Sequence, residues 1–253
     1  MAATDMKQSD WPCLVWGTVK LGRSTQLRTP AHTLPSDTEA SELVRGMLQL
    51  GMKAFDTAPA YGLSEIRLGA AAASTNIKIS TKVGETHKDG QSHFDFTADA
   101  VRRSLTRSKE RLRREQLDLV YLHAPDHDLE ILKNTEAWSA LRNAQQQGII
   151  ASVGLSGKTP AAAKWAIQNG ANALMVPWNR EDQSHSALLD EAADRNLKVF
   201  IKKGLDSGNL TAPSALRWAL EDPRIHAVAI GSLCVDHMKE NLALAKAIRP
   251  NQC

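Results

Sequence analysis

Cysteine is scarce in this 253-residue chain: Cys13, Cys234 and Cys253 lie far apart, without C-x-x-C spacing or partner histidines. Neither a disulfide framework nor a zinc site is indicated, so reduced thiols and no bound metal are expected. Long apolar runs are missing too. None approaches the roughly 18 residues needed to cross a bilayer. The opening MAATDMKQSD is too polar for a secretory signal, which leaves the cytoplasm and no membrane contact as the expectation. Net charge is only +3. The basic excess gathers in residues 102–114, where arginine and lysine alternate with Ser104, Leu105 and Leu112 at helical spacing. No aromatic residue interleaves with it, so it reads as a solvated helix face, and nucleic acid is not an expected partner. A G-x-G-x-x-G turn is also absent after the first apolar run, LVWGTVKLGR, which argues against an open dinucleotide-binding sheet.

What the chain does have is alternation. Apolar, β-rich runs at 14–18, 54–56, 77–82, 117–123, 150–156, 173–177, 198–203 and 227–230 are separated by helical patterns that include 38–50, 97–112, 135–147, 160–169, 186–195 and 235–247. Gly51, Gly148 and Gly170 follow the last apolar turn of three helices as C-caps, and Thr159-Pro160 and Ala212-Pro213 place proline where helices begin. Eight βα units, with 42% hydrophobic residues and the usual length of one such domain, predict a single (β/α)8 TIM barrel over residues 1–253. The longest unassigned stretches are 19–36 and 83–95, and long loops on a compact barrel usually serve function.

In a barrel, chemistry sits at the C-terminal strand ends, and adjacent strands bring those ends together. Three successive runs end in ionisable groups: AFD at Asp56, IKISTK at Lys82 and LDLVYLH at His123. Tyr61 follows Asp56 in the loop crossing the mouth. Each has a plain structural alternative, as a turn cap, a solvated lysine, a core histidine or a packing ring; jointly they point to a site. A phenol is a poor acid near neutrality unless a cation favours its phenolate, and Lys82, held by Asp56, can supply that cation. His123 can orient a substrate oxygen.

The segments FDTAPAYGLSEIRLG, ISTKVG, SLTRSKERLRREQLDLVYLHAPD, GIIASVGLSG and ALRWALEDPRIHAVAIGSL resemble the aldo-keto reductases over nearly the whole chain, as a short bacterial-type member. The resemblance implies a catalytic set of Asp56, Tyr61, Lys82 and His123, with reduction of an aldehyde or ketone, or the reverse, by a nicotinamide cofactor. NADPH is implied first and NADH as the alternative. It also implies cofactor contacts from Thr18, Ser156, Met175, Lys202, Lys203, Leu205, Ser207, Gly231, Ser232, His237, Glu240 and Asn241. Met175 stands where a glutamine is usual, Gly157 where an asparagine often follows the serine, and Lys202 where an aromatic ring commonly stacks on the nicotinamide. Cys234 and His237 stand where an arginine often binds the 2′-phosphate. The expected partner is a small carbonyl compound, and the expected state a monomer or weak homo-oligomer. The chain reaches Cys253 soon after the last helical pattern, so 19–36 and 83–95 are expected to set substrate preference at a comparatively open mouth. Two other readings compete: a cofactor-binding regulatory barrel with little turnover, and a Schiff-base lyase using Lys82, Lys202 or Lys203.

Overall fold

A computed structural model describes residues 11–27 and 31–253. The chain runs β1 (Leu14–Gly17), α1 (Val19–Gly22), α2 (Asp37–Gln49), β2 (Ala54–Asp56), α3 (Ser64–Ala72), β3 (Lys78–Val83), β4 (Glu85–Lys88), β5 (Gln91–Phe94) and α4 (Ala98–Leu112). It continues through β6 (Leu117–His123), α5 (Asp128–Asn134), α6 (Ala137–Gln146), β7 (Ile150–Ser156), α7 (Pro160–Gln168), β8 (Ala173–Pro177), α8 (Ser186–Asp194), β9 (Lys198–Lys202), α9 (Ala212–Glu221), β10 (Ala227–Ile230) and α10 (Val235–Ile248). Eight strands close a parallel barrel in the order β1-β10-β9-β8-β7-β6-β3-β2. These are the eight expected runs, and the shift of β3 by one residue is within the usual slack of strand ends.

Side chains alternate across each strand, so every second residue points into the barrel. The lower interior is filled by Trp11, Val15, Ala54, Leu119, Tyr121, Ala173, Met175, Phe200 and Ala227. Trp11 meets Phe200 edge-on at 5.2 Å, closing the lower end. One pleat further along the same strands come Asp56 above Ala54, His123 above Tyr121 and Lys202 above Phe200. The polar layer is therefore stacked on the apolar one by strand geometry alone. A second, larger core lies between the strands and the surrounding helices.

The helix punctuation holds: Gly51, Gly148 and Gly170 take φ of +87°, +73° and +79°, and Thr159 caps α7 by accepting from the Ala162 amide. Three expectations need correction. The stretch 83–95 is not a plain loop, because β4 and β5 pair as an antiparallel hairpin turning at Asp89-Gly90, both at positive φ. The basic run is only partly a solvated face, since Arg111 pairs with the buried Glu65 and Arg114 donates to the Ala72 and Thr75 carbonyls, docking α4 on α3. Finally, Cys13 and Cys253 form a disulfide with Cα atoms 5.4 Å apart. Barrel closure sets β1 beside β10, and the Cys13 amide donates to the Gln252 carbonyl, so two cysteines 240 residues apart in sequence meet.

Candidate active site

Lys82 and Asp56 occupy neighbouring strand ends on β3 and β2, and both are buried, at 1% and 4% exposure. The Lys82 ammonium donates to both Asp56 carboxylate oxygens at 2.7 and 2.6 Å and to the Thr57 carbonyl at 2.9 Å. Ser80 adds a third hydrogen bond to Asp56 at 2.7 Å. A buried ion pair is costly unless its remaining hydrogen bonds are satisfied, and here they are. Burial works against the charge on Lys82, but Asp56 and Tyr61 more than offset it, so its pKa is raised.

Tyr61 ends a short 3-10 turn, Pro59–Tyr61, and its ring centroid lies 4.8 Å from the Lys82 ammonium. Its ring meets that of His123 edge-on at 6.4 Å. Two glycines fix this loop. Gly22 ends α1 and Gly62 follows Tyr61 at φ +61°; a Cβ on either would fall 2.2 Å from the other's segment, so only glycine permits the approach. Arg23 donates to the Ala60 carbonyl at 3.1 Å, and Ser64 donates to the Thr18 carbonyl. Burial raises the Tyr61 pKa, with Lys82 pulling it down less strongly. At neutral pH the phenol therefore keeps its proton.

His123 faces this group from β6. Its Nδ1 lies 2.9 Å from Glu85, the first residue of the β4–β5 hairpin. Glu85 also accepts from Ser92 at 2.6 Å and lies 3.7 Å from Arg23. Burial would raise the Glu85 pKa, but His123, Ser92 and Arg23 outweigh it and bring it to about 2. Burial lowers the His123 pKa, with Glu85 opposing. His123 Nδ1 makes no hydrogen bond among the described residues, so the contact with Glu85 is one of charge, and both ring nitrogens become donors once the imidazole is protonated.

The opposite side of the mouth is built differently. Ser156 ends β7 in register with His123, and its hydroxyl oxygen accepts from the Lys202 ammonium at 3.1 Å. Lys202 is half-buried at the end of β9, with no carboxylate in contact among the described residues. Met175, 2% exposed, packs into the interior core below it. Asp128 explains the room left at Gly157. A Cβ there would sit 3.0 Å from the Asp128 carboxylate, which is already engaged by the Lys158 and Thr159 amides.

The remaining expected contacts ring the β9–β10–β1 side. Thr18 is buried and donates to the Asp56 carbonyl at 2.9 Å. Lys203 is exposed at φ +57°, Leu205 is half-buried beside it, and the side chain of Ser207 lies outside the described residues. Gly231 abuts Gly17, whose carbonyl oxygen would lie 3.1 Å from an added Cβ. Ser232 accepts from the Cys234 amide, and its carbonyl accepts from Trp16. On α10, His237 and Glu240 are exposed and Asn241 is buried. Part of the 19–36 loop, residues 28–30, likewise lies outside the described residues. Sequence reasoning missed Glu85, Ser80, Arg23 and Asp128. Of these Glu85 had a signal, the Asp-Gly dipeptide of a two-residue hairpin turn.

A closed parallel barrel with a lysine–carboxylate pair under a mouth-loop tyrosine and a facing histidine defines a class of barrel with one polar site at its C-terminal end. Residues 14–210 match the Aldo/keto reductase family model, and the chain belongs to that family. It is 31% identical over 205 residues to a D-threo-aldose 1-dehydrogenase from Pseudomonas, covering 69% of this chain and 62% of that protein. It is 32% identical to an L-galactose dehydrogenase from Arabidopsis thaliana, covering 77% of this chain and 64% of the other. The chain thus spans less than two thirds of either curated relative. A Pseudomonas aeruginosa aldo-keto reductase structure superposes with a TM-score of 0.84 at 35% identity, covering 93% of this chain and 90% of that one. Among the described residues, no helix is long and apolar enough to cross a membrane, and no cluster of candidate metal ligands occurs.

Proposed function

We propose that this chain is a nicotinamide-dependent oxidoreductase that interconverts a small carbonyl compound and its alcohol, with Tyr61 exchanging the proton on the substrate oxygen. One observation carries the reading: the fully bonded Asp56–Lys82 pair lies buried at the mouth of the barrel directly against Tyr61. An ion pair there does nothing for closure of the apolar core, whereas it steadies the charge that forms when the phenol gives up its proton. Lys82 compensates the phenolate, Asp56 holds Lys82 charged and aimed, and His123 Nε2 orients the substrate oxygen. The Tyr61 and His123 rings lie 6.4 Å apart, close enough for one substrate oxygen to be reached from both.

The nicotinamide, when bound, supplies or accepts the hydride. The residues present fit such a group. The Lys202 ammonium and the Ser156 hydroxyl offer donors to its carboxamide, exposed Lys203 suits a phosphate, and the close Gly17–Gly231 approach leaves a backbone surface without side chains. We take the single barrel as the working unit, since its own residues complete the set. Two curated relatives are named as dehydrogenases of an aldose and of galactose, and another as an aflatoxin B1 aldehyde reductase. Aldoses and small aldehydes are therefore the first substrates to try.

A Schiff-base reading has one specific observation behind it: burial, followed by Lys82, Lys203 and Lys158, brings the Lys202 pKa down to about 7, which leaves part of it as free amine. Borohydride trapping of substrate on the protein would favour it. The test of the main reading is a panel of aldoses, aldehydes and ketones with NADPH, NADH and their oxidised forms, followed by nicotinamide absorbance. Turnover of at least one compound is expected, and none with any cofactor overturns the reading.

A further inference from the structure

Lys202 is out of place by ordinary rules. It is a cation in a recessed site that already contains Lys82, with Lys203 beside it and Lys158 nearby, and its one hydrogen-bond partner among the described residues is a neutral hydroxyl. A half-buried ammonium surrounded by like charge is unfavourable and is kept only where something makes use of it. The substrate oxygen belongs between Tyr61 and His123, so the group that exchanges a hydride with the carbonyl carbon must come within about 3.5 Å of it. The β2–β3 side is filled by Asp56, Lys82 and Tyr61. Beside His123 stands Ser156 on the next strand, β7, and the Lys202 ammonium reaches the Ser156 hydroxyl from β9, so these two offer the ring its polar support.

We propose that Lys202, with Ser156, forms the floor on which the nicotinamide rests and makes the site bind the reduced, uncharged ring in preference to the oxidised, cationic one. The inference depends on the nicotinamide reading given above. Its physics is direct. The two redox forms differ by one positive charge on the ring, and a neighbouring cation repels only the oxidised form. Like charges a few ångströms apart at a solvent-facing site correspond to at least about tenfold in binding. Ser156 keeps the ammonium in the mouth rather than letting it swing into solvent, and Met175 below is apolar and offers no competing acceptor.

The preference depends on pH. Burial first, then Lys82 on β3, Lys203 on the β9 end and Lys158 after β7, lowers the Lys202 pKa to about 7, with Asp128 at the start of α5 opposing. His123 on β6 and His185 before α8 are the other titratable groups that feel Lys202. Below neutrality the ammonium is charged and discriminates; above it the neutral amine does not.

Calorimetric titration of the full chain with NADPH, NADP+, NADH and NAD+ from pH 6 to 9 tests this. The ratio of oxidised to reduced dissociation constants cancels the phosphates and every other group that treats both forms alike. In the wild type this ratio should fall about tenfold or more between pH 6 and 9. In Lys202→Met it should be low and flat, and in Lys202→Arg, which stays charged, high and flat. A flat wild-type ratio, or a Lys202→Met protein that keeps the wild-type profile, overturns the proposal while leaving the nicotinamide reading intact. If the wild type binds no dinucleotide, both fall. The arginine variant keeps the charge at every pH of the titration, so its profile decides the matter even if the methionine variant fails to fold.

Discussion

The two sides of the barrel mouth follow opposite rules. On the β2–β3 side every charge is matched: Lys82 is bonded to both oxygens of Asp56, Ser80 completes the carboxylate, and burial is nearly total. On the β7–β9 side Lys202 has a serine hydroxyl and no counter-ion among the described residues, and Lys203 stands exposed in a left-handed turn. The first arrangement is complete in itself. The second has donors to spare, and on the reading proposed above a dinucleotide is what takes them up.

The sharpest way to break this contrast is Lys82→Met, which turns the matched half into an unmatched one. Carbonyl reduction should drop by about two to four orders of magnitude. Leaving Asp56 as a lone buried charge should also cost about 3–5 kcal/mol of stability. Turnover and denaturant titration on the same preparation measure both.

Glu85→Gln tests how the hairpin joins the two halves. Protonated His123 donates from both ring nitrogens, and its pKa lies below the ordinary value, so reduction should rise as pH falls below about 6.5. Glutamine removes the carboxylate charge that opposes this lowering, so the variant should move the acid limb to lower pH. An unchanged pH profile would detach Glu85 from His123.

The same carboxylate should show in stability. Its folded pKa, about 2, lies below its ordinary value of 4.5. It therefore stabilises the fold above pH 4.5 and loses that contribution as pH falls toward 2. Acid denaturation followed by circular dichroism should be shallower over that window in Glu85→Gln.

How far these residues were legible depends on how local their signals were. Asp56, Lys82 and His123 each end an apolar run, and the period of two along a strand places all three on the inside, so the barrel rule sufficed. Tyr61 needed only its closeness to Asp56. Glu85 was hidden because GETHKDGQSHFDF has few apolar residues, and hairpin strands that cover no core show none of the usual pattern. The Cys13–Cys253 bond was hidden for another reason: closure of the barrel, not sequence spacing, brings the two ends together.

The smallest expected effect concerns the far end of the cofactor. Neither Cys234 nor exposed His237 gives a 2′-phosphate the bidentate, fully charged partner that arginine would. We expect NADPH and NADH to differ by less than about a hundredfold in kcat/KM, or roughly 2.7 kcal/mol. Cys234→Arg should move that ratio toward NADPH. A strong wild-type preference, or no movement, would put the phosphate elsewhere.

The independence of the two halves is tested most directly by one protein, Tyr61→Phe, assayed for both turnover and dinucleotide binding. The change removes a single hydroxyl from the matched side and leaves Ser156, Lys202 and Lys203 untouched. Turnover should drop by about two to four orders of magnitude while the dissociation constants for reduced and oxidised dinucleotide stay within about threefold of wild type. Near-wild-type turnover, or binding lost together with activity, would contradict the division of labour between the two sides of the mouth.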